Sequence, residues 1–428
     1  MKGSATTLPL RYLLRPKEET GHPEMDVLSV YRDYGVIPKS SRDDNFNKTP
    51  PDLSRYQVVR KGNLVVNKMK AWQGSLGVSA HDGIVSPDYL VCTVHPGTHG
   101  RYLHHLLRSQ LLISEFSRNS KGIRPSQWRL YWEDLSGINV HLPEIDTQRR
   151  IADFLDAETA RLDRLISART RQRDALDERV EAALNERLIP GAASAQHGAS
   201  PWPWLPDLPP DRPLVRLGYV CRLQNGITID GNRTISKDSI TLPYLRVANV
   251  QAGWLMLGNV AEVTIPRSIA DRSRLRPGDV LMTEGGDLNK LGRGTVWHGE
   301  LTECLHQNHI FALRPNLDRL DGDYLALITR TVHGRCYFES TGSRTTNLAS
   351  TNSSKILSFP IPLPSVEFQR KLARESTEDL ATVSNIRTRL DHQRELLAER
   401  RQALITAAVT GQIDVSTASG RGIEDGLA

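Results

Sequence analysis

The feature that most constrains this fold is that the chain is written twice: laid over itself with an offset of about 215 residues, its halves run through the same features in one order. LPLRYLL (8–14) faces RPLVRLG (212–218), and the stretches 26–38 and 242–255, rich in Val, Leu and Tyr and broken by turn residues, read as short strands. RKGNLVVNKMKAWQGSLGVS (60–79) answers RPGDVLMTEGGDLNKLGRGTVW (276–297); each is a basic residue, a Gly turn, an apolar strand, a polar loop and another strand. Segments 86–110 and 307–330 each predict a strand, a turn and an amphipathic helix. After the polar loops SKGIRPSQW and TGSRTTNLAS, INVHLPEIDTQRR (138–150) matches FPIPLPSVEFQRK (359–371). In both, a Leu-Pro ends an extended segment, and a Gln followed by two basic residues opens a long helical stretch. Two copies in one order predict a gene duplication and internal two-fold pseudosymmetry.

The helical stretches share a heptad pattern. In 144–188, Leu155, Leu162, Leu176 and Ala183 recur at multiples of seven, with Ile166 and Val180 on the neighbouring stripe and polar gaps at Arg169 and Arg173. In 365–411, Val383, Leu390, Leu397 and Leu404 do the same, with Ile386 and Ala407 beside them and Gln393 and Arg400 between. This is the seam of a coiled coil, broken near its middle. Neither run contains Pro, and Gly411 stands where a helix C-cap belongs. At about 1.5 Å per residue, such a helix reaches roughly 65 Å. Narrow apolar stripes and polar outer faces predict that the two helices pair with each other. Between the copies, 189–211 carries Pro190, Pro201, Pro203, Pro206, Pro209 and Pro210, which excludes regular helix and strand. Its indoles, Trp202 and Trp204, are expected to dock on a neighbouring surface.

Length and charge narrow the function. A chain of 428 residues, 39% hydrophobic, can bury two or three cores. The net charge of +6 is concentrated in two blocks: 19 Lys and Arg against 13 Asp and Glu in 1–143, and 17 against 13 in 213–364. Two positive blocks draw a polyanion. Cys92, Cys221, Cys304 and Cys336 are far apart, which argues for buried thiols over a disulfide framework or zinc knuckle. No run of about eighteen apolar residues occurs and the start lacks a secretory signal, so the expectation is a cytoplasmic protein with no membrane partner. No Gly-Lys pair exists to make a Walker A loop, and no Asp or Glu stands two residues before a Lys, as restriction-type nucleases require. There is no G-x-G-x-x-G, and Pro50-Pro51 and Pro209-Pro210 are each followed by Asp, not by the aromatic of an amino-methyltransferase loop. His104 and His105 fall on an amphipathic helix and are read as surface or core, not as metal ligands. The chain is expected to be non-catalytic.

LPEIDTQRRIADFLDAETARLDRLI (142–166) and LLAERRQALITAAVTGQI (396–413) resemble the two conserved regions of the specificity subunits of type I restriction-modification systems, and the duplication extends the resemblance over essentially the whole chain. It departs at Lys61-Gly62-Asn63, where the second copy has Pro277-Gly278-Asp279, and at Phe368-Gln369-Arg370, in place of a Pro-x-x-x-Gln run. The resemblance implies an α+β fold. Two pseudo-symmetric α/β target-recognition domains, 1–143 and 213–364, would be separated by two long antiparallel coiled-coil helices, 144–188 and 365–411, with a Pro-rich linker at 189–212 and a flexible tail at 412–428. It implies that each domain reads half of a bipartite site on double-stranded DNA. The helices would hold two modification (methyltransferase) subunits carrying S-adenosylmethionine, and through them restriction subunits, translocases and nucleases that use ATP and magnesium. No cofactor is expected in this chain. Two alternatives remain: a coiled-coil scaffold without DNA function, which the rods and the modest charge allow, and an enzyme with an unfamiliar active site.

Within such domains, polar loops that follow the Gly turn are where bases would be read, since Lys, Arg, Asn and Gln side chains can match base edges in the major groove. The first block offers Lys68, Lys70, Trp72 and Gln73, with Lys121 and Arg124 from its second polar loop. The second block offers Asn289, Lys290 and Arg293, with Arg344, Thr345 and Asn347 from its second loop. Phosphate contacts should outnumber base contacts among them.

Overall fold

Each half of the duplication builds the same antiparallel sheet. In the first, the strand order is Leu14–Pro16, Tyr89–Val94, Leu64–Asn67, Leu76–Val78; in the second it is Cys221–Asn225, Ile310–Pro315, Val280–Thr283, Gly294–Val296. The computed structural model describes residues 6–32, 34–42, 49–124, 127–192, 202–229, 238–286, 291–344 and 349–415. They fall into two units, Met1–Arg171 with Leu390–Ala428, and Gln172–Arg389.

The central strands are apolar without alternation because both of their faces are covered. In Leu64–Asn67, Leu64 and Val66 join the core under the helices Gly100–Leu107 and Gln110–Asn119, while Val65 joins a second core under the hairpin Leu28–Tyr31/Gly35–Pro38. Val280 and Met282 likewise face the helix side of the second unit, and Leu281 faces Leu245, Val250 and Trp297 on the other. The strand is entered through a turn at Gly62 or Gly278, each at φ 91°. There Asn63 Oδ1 accepts from the Arg60 amide (2.9 Å), and Asp279 Oδ2 accepts from the Arg276 amide (2.8 Å). Strand register explains the exchange of Asn for Asp. Buried Asp279 receives a bidentate pair from Arg314 at 2.8 and 2.7 Å, while the first copy has Thr93 at the position of Arg314 and needs no charge.

A small sheet brings the start of each copy beside the entrance to a long helix: Thr6–Pro9 pairs with Asn139–Leu142, and Leu214–Arg216 with Pro360–Pro362. The Gln predicted to open each helix is a buried clasp. Gln148 Oε1 accepts the His99 amide (2.8 Å) while its Nε2 donates to the Pro143 carbonyl (2.8 Å). Gln369 Oε1 accepts the Asp321 amide (2.9 Å), and its Nε2 donates to the carbonyls of Pro364 (2.8 Å) and Arg319 (2.9 Å). His99 and Asp321 are N-caps of the matching helices Gly100–Leu107 and Gly322–Arg330, so each clasp ties two helix starts together.

The long helices run Ile145–Leu188 and Val366–Val409. Within the first unit, Ile151, Ala152 and Leu155 share a core with Ile405, Ala408 and Val409, and Asp163 pairs with Arg401 at 3.0 Å. Within the second, Asp177 pairs with Arg387 at 3.4 Å and Asp379 with Arg187 at 2.6 Å. In both, one helix ascends as the other descends, so the helices pair antiparallel. Two seam assignments need correction. Ala183 is exposed, and Leu184 and Leu188 are buried in its place. They join the core of the second unit, to which Leu372 and Ala373 of the partner helix also belong, and the plain helical repeat of 3.6 displaces the heptad. Ile386 is 41% exposed, because in 381–389 the only side chain that is not exposed belongs to Val383.

Trp202 and Trp204 dock on the second unit. Trp202 meets Tyr337 edge-on with centroids 5.1 Å apart, and Trp204 Nε1 donates to His333 Nδ1 at 3.1 Å.

Candidate functional site

In each unit the two polar loops, far apart in sequence, are joined. In the first, the turn after Leu64–Asn67 is shaped by Asn67, whose carbonyl accepts from the Lys70 amide (3.0 Å) and whose Oδ1 accepts from the Met69 amide (3.1 Å). It closes at Gly74, φ 90°, where a Cβ would stand 2.9 Å from Ile113 of the helix Gln110–Asn119. The second loop reaches it through the Leu130 amide, which donates to the Lys68 carbonyl at 2.9 Å, and through Trp128, edge-on to Trp72 at 5.4 Å. In the second unit, Gly285 and Gly286 pair with Ser350 and Ala349, which pair in turn with Ser343 and Arg344.

The candidate side chains divide by what they touch. Lys70, Gln73 and Arg124 are exposed, and neither cation has an ion-pair partner among the described residues. Ile123, next to Arg124, is 95% exposed. Lys68 Nζ donates to the Pro87 carbonyl (3.2 Å), Lys121 pairs with Asp134 (2.6 Å), and Trp72 Nε1 donates to the Met69 carbonyl (3.0 Å), so these three shape the loops. Asn289, Lys290, Thr345 and Asn347 lie outside the described residues, and of Arg344 the backbone alone is described. Arg293 is half-buried; burial and nearby Arg335 hold its guanidinium below the usual arginine range, against the pull of Glu181 and Glu339. Sequence reasoning did not nominate Arg330, on which burial and Arg293 act in the same direction.

Among the described residues no group of three or more His, Cys, Asp or Glu side chains could hold a metal ion, and no helix is long and apolar enough to cross a membrane. His104 is partly buried, and the loss of water around its ring pushes its pKa down to about 3, with Arg108 and His105 adding to it. His105 bonds to Asp156, which together with Asp153 binds Arg101. Cys92, Cys221 and Cys304 are buried, and burial pushes each thiol up to about 12, far from a reactive thiolate.

These features define a class: a duplicated α+β protein in which each unit presents one surface of two joined polar loops and is tied to long antiparallel helices. By sequence, the chain is similar to specificity subunits of type I restriction enzymes. It is 24% identical to the MjaX specificity subunit of Methanocaldococcus jannaschii over 189 residues, which are 44% of this chain and 43% of that protein. Against the EcoKI specificity subunit of Escherichia coli the identity is 21% over 382 residues, 83% of this chain and 76% of the relative. For the StySPI subunit of Salmonella potsdam it is 28%, over 40% of this chain and 36% of that one. The match thus spans less than half the length of two of these three relatives. A solved chain from a structure concerned with complex assembly and conformational transition of the type I R-M system shares the fold, with a TM-score of 0.70 and 18% identity over 96% of this chain and 99% of that one. No family model matches the sequence.

Proposed function

We propose that this chain is the DNA-recognition subunit of a type I restriction-modification complex, and that it works in the cytoplasm and performs no chemistry itself. Each unit reads one half of a bipartite site through its joined loops. The paired helices fix the distance between the halves and carry two modification subunits with their S-adenosylmethionine. Those subunits engage restriction subunits that use ATP and magnesium.

The observation that carries this reading is the convergence of two polar loops into one surface in both copies of the fold, with Lys70, Gln73 and Arg124 exposed on the first. Two equivalent polar surfaces suit a duplex that offers two short targets. The similarity to specificity subunits points the same way.

Co-expression with a methyltransferase encoded beside this gene should yield a stable complex, and single-molecule sequencing of host DNA should show methylated adenines in a two-part motif. Lys70→Ala should weaken DNA binding by that complex, and relax sequence choice at one half-site if the lysine reads a base. A stable complex that neither binds nor methylates a defined sequence would leave the chain a coiled-coil scaffold.

A further inference from the structure

The helix that follows the last strand of the sheet, Tyr89–Val94 or Ile310–Pro315, ends on an arginine in both copies, Arg108 after Gly100–Leu107 and Arg330 closing Gly322–Arg330. The next residue caps the following helix in each case: Ser109 accepts the Leu112 amide and Thr331 the Gly334 amide. Both guanidinium groups lie against a glycine of a hairpin turn. A Cβ on Gly35 would stand 2.7 Å from Arg108 Nη1, and one on Gly253 would stand 2.7 Å from Arg330 Nη1; these glycines have φ 73° and 84°. The scaffold is therefore duplicated down to this contact.

The two arginines differ in what they bind. Arg108 is 8% exposed and donates to the Arg32 carbonyl at 2.5 Å, so it pins the hairpin turn. Arg330 has no hydrogen bond or ion pair to any described residue, and the charge that acts on it is another cation, Arg293. The fold forces that juxtaposition. Buried Thr329 accepts the Gly294 amide at 2.9 Å, which clasps the helix end to the strand Gly294–Val296 and sets the flanking residues Arg330 and Arg293 at one junction. In the first copy, register places Ser75 where the second has Arg293. Of the two acids near Arg293, Glu181 is already paired with Arg335. Neither Arg293 nor Arg330 is fully buried, so the junction keeps some access to solvent. Glu181 and Glu339 act on Arg293, but neither acts on Arg330. A half-buried cation that faces another cation and has no carboxylate partner among the described residues destabilises a fold until an anion arrives from outside.

We propose that Arg293 and Arg330 form a clamp for one backbone phosphate of the duplex, in the second unit only. The proposal rests on the DNA-recognition reading and adds to it a contact that fixes position without reading sequence.

The test uses the full chain in its complex with the modification subunits and a fluorescent duplex of arbitrary sequence, titrated across about 50 to 200 mM salt. Arg330→Gln should make the slope of log affinity against log salt shallower by about 0.9, the contribution of one phosphate. Gly253→Ala, which keeps the arginine but displaces it, should do the same. Arg272→Gln, which removes an exposed charge elsewhere in the unit, should leave the slope as it was. Arg330→Gln should also melt no lower than the parent, since it removes an unpaired cation; a merely structural arginine would lower the melting temperature. Equal slopes for parent and Arg330→Gln overturn the clamp while leaving DNA recognition intact, and failure of the parent to bind any duplex overturns both. If inorganic phosphate at constant ionic strength stabilises the parent but not Arg330→Gln while the slopes agree, the site takes a free anion and the DNA contact is wrong.

Discussion

His333 is held between two fixed partners, accepting the Trp204 indole N–H at Nδ1 (3.1 Å) and donating from Nε2 to the Pro360 carbonyl (2.7 Å). Only the neutral imidazole can do both, and burial pushes its pKa down to about 4. The unfolded value is about 6.5, so below that pH the unfolded chain binds a proton that the folded one refuses. This contribution to stability is complete above pH about 6.5 and is lost as pH falls toward about 4, by as much as about 3 kcal/mol. His306 adds to the same fall: burial pushes it down to about 4, with its ring bonded to the Ile310 carbonyl. Melting followed by circular dichroism should therefore drop steeply between pH 6.5 and 4, and His333→Gln should flatten that drop by roughly one proton. Parallel profiles for parent and variant would remove His333 as the cause. The sequence marked Trp204 as a docking indole, but its acceptor lies 129 residues away, a distance that periodicity does not see.

At the scale of elements, the glutamine clasps decide how each long helix leaves its domain. Gln148→Leu would remove the buried side chain that satisfies the His99 amide and the Pro143 carbonyl, and Gln369→Leu the buried side chain that satisfies the Asp321 amide and two carbonyls. An unsatisfied buried group costs about 1–3 kcal/mol, so each variant should lose about 2 kcal/mol or more from the unfolding transition of its own unit, read as a shift in urea midpoint. An unshifted midpoint would mean that water replaces the amide. The clasps also show what was legible. A Gln before two basic residues stood out in both copies, as did the heptads and the Gly turns, because helix period and turn chemistry are local. What stayed hidden depends on long-range pairing: the bond from the Leu130 amide to Lys68, and the strand that binds Gly285 to Ser350. Arg330 escaped notice for the same reason, since the turn at Gly253 that leaves it uncovered belongs to a hairpin 77 positions earlier.

At the scale of the whole molecule, the proposed role makes the two long helices a ruler, and a ruler can be lengthened. Seven residues inserted after Arg171 and seven after Arg389 keep the seam in register, because a heptad returns the apolar stripe to nearly the same face. They add about 10.5 Å of helix, the length of about three base pairs. The loops of both units are untouched by this change, so both half-sites should keep their sequence while the gap between them grows by up to about three base pairs. Methylation maps of a host carrying the lengthened protein would show this directly. A four-residue insertion would instead rotate the stripe out of the seam and should cost stability before it changes any spacing. If the heptad variant folds, assembles and methylates with the original gap, the helices do not measure the site, and the spacing must be set by the modification subunits.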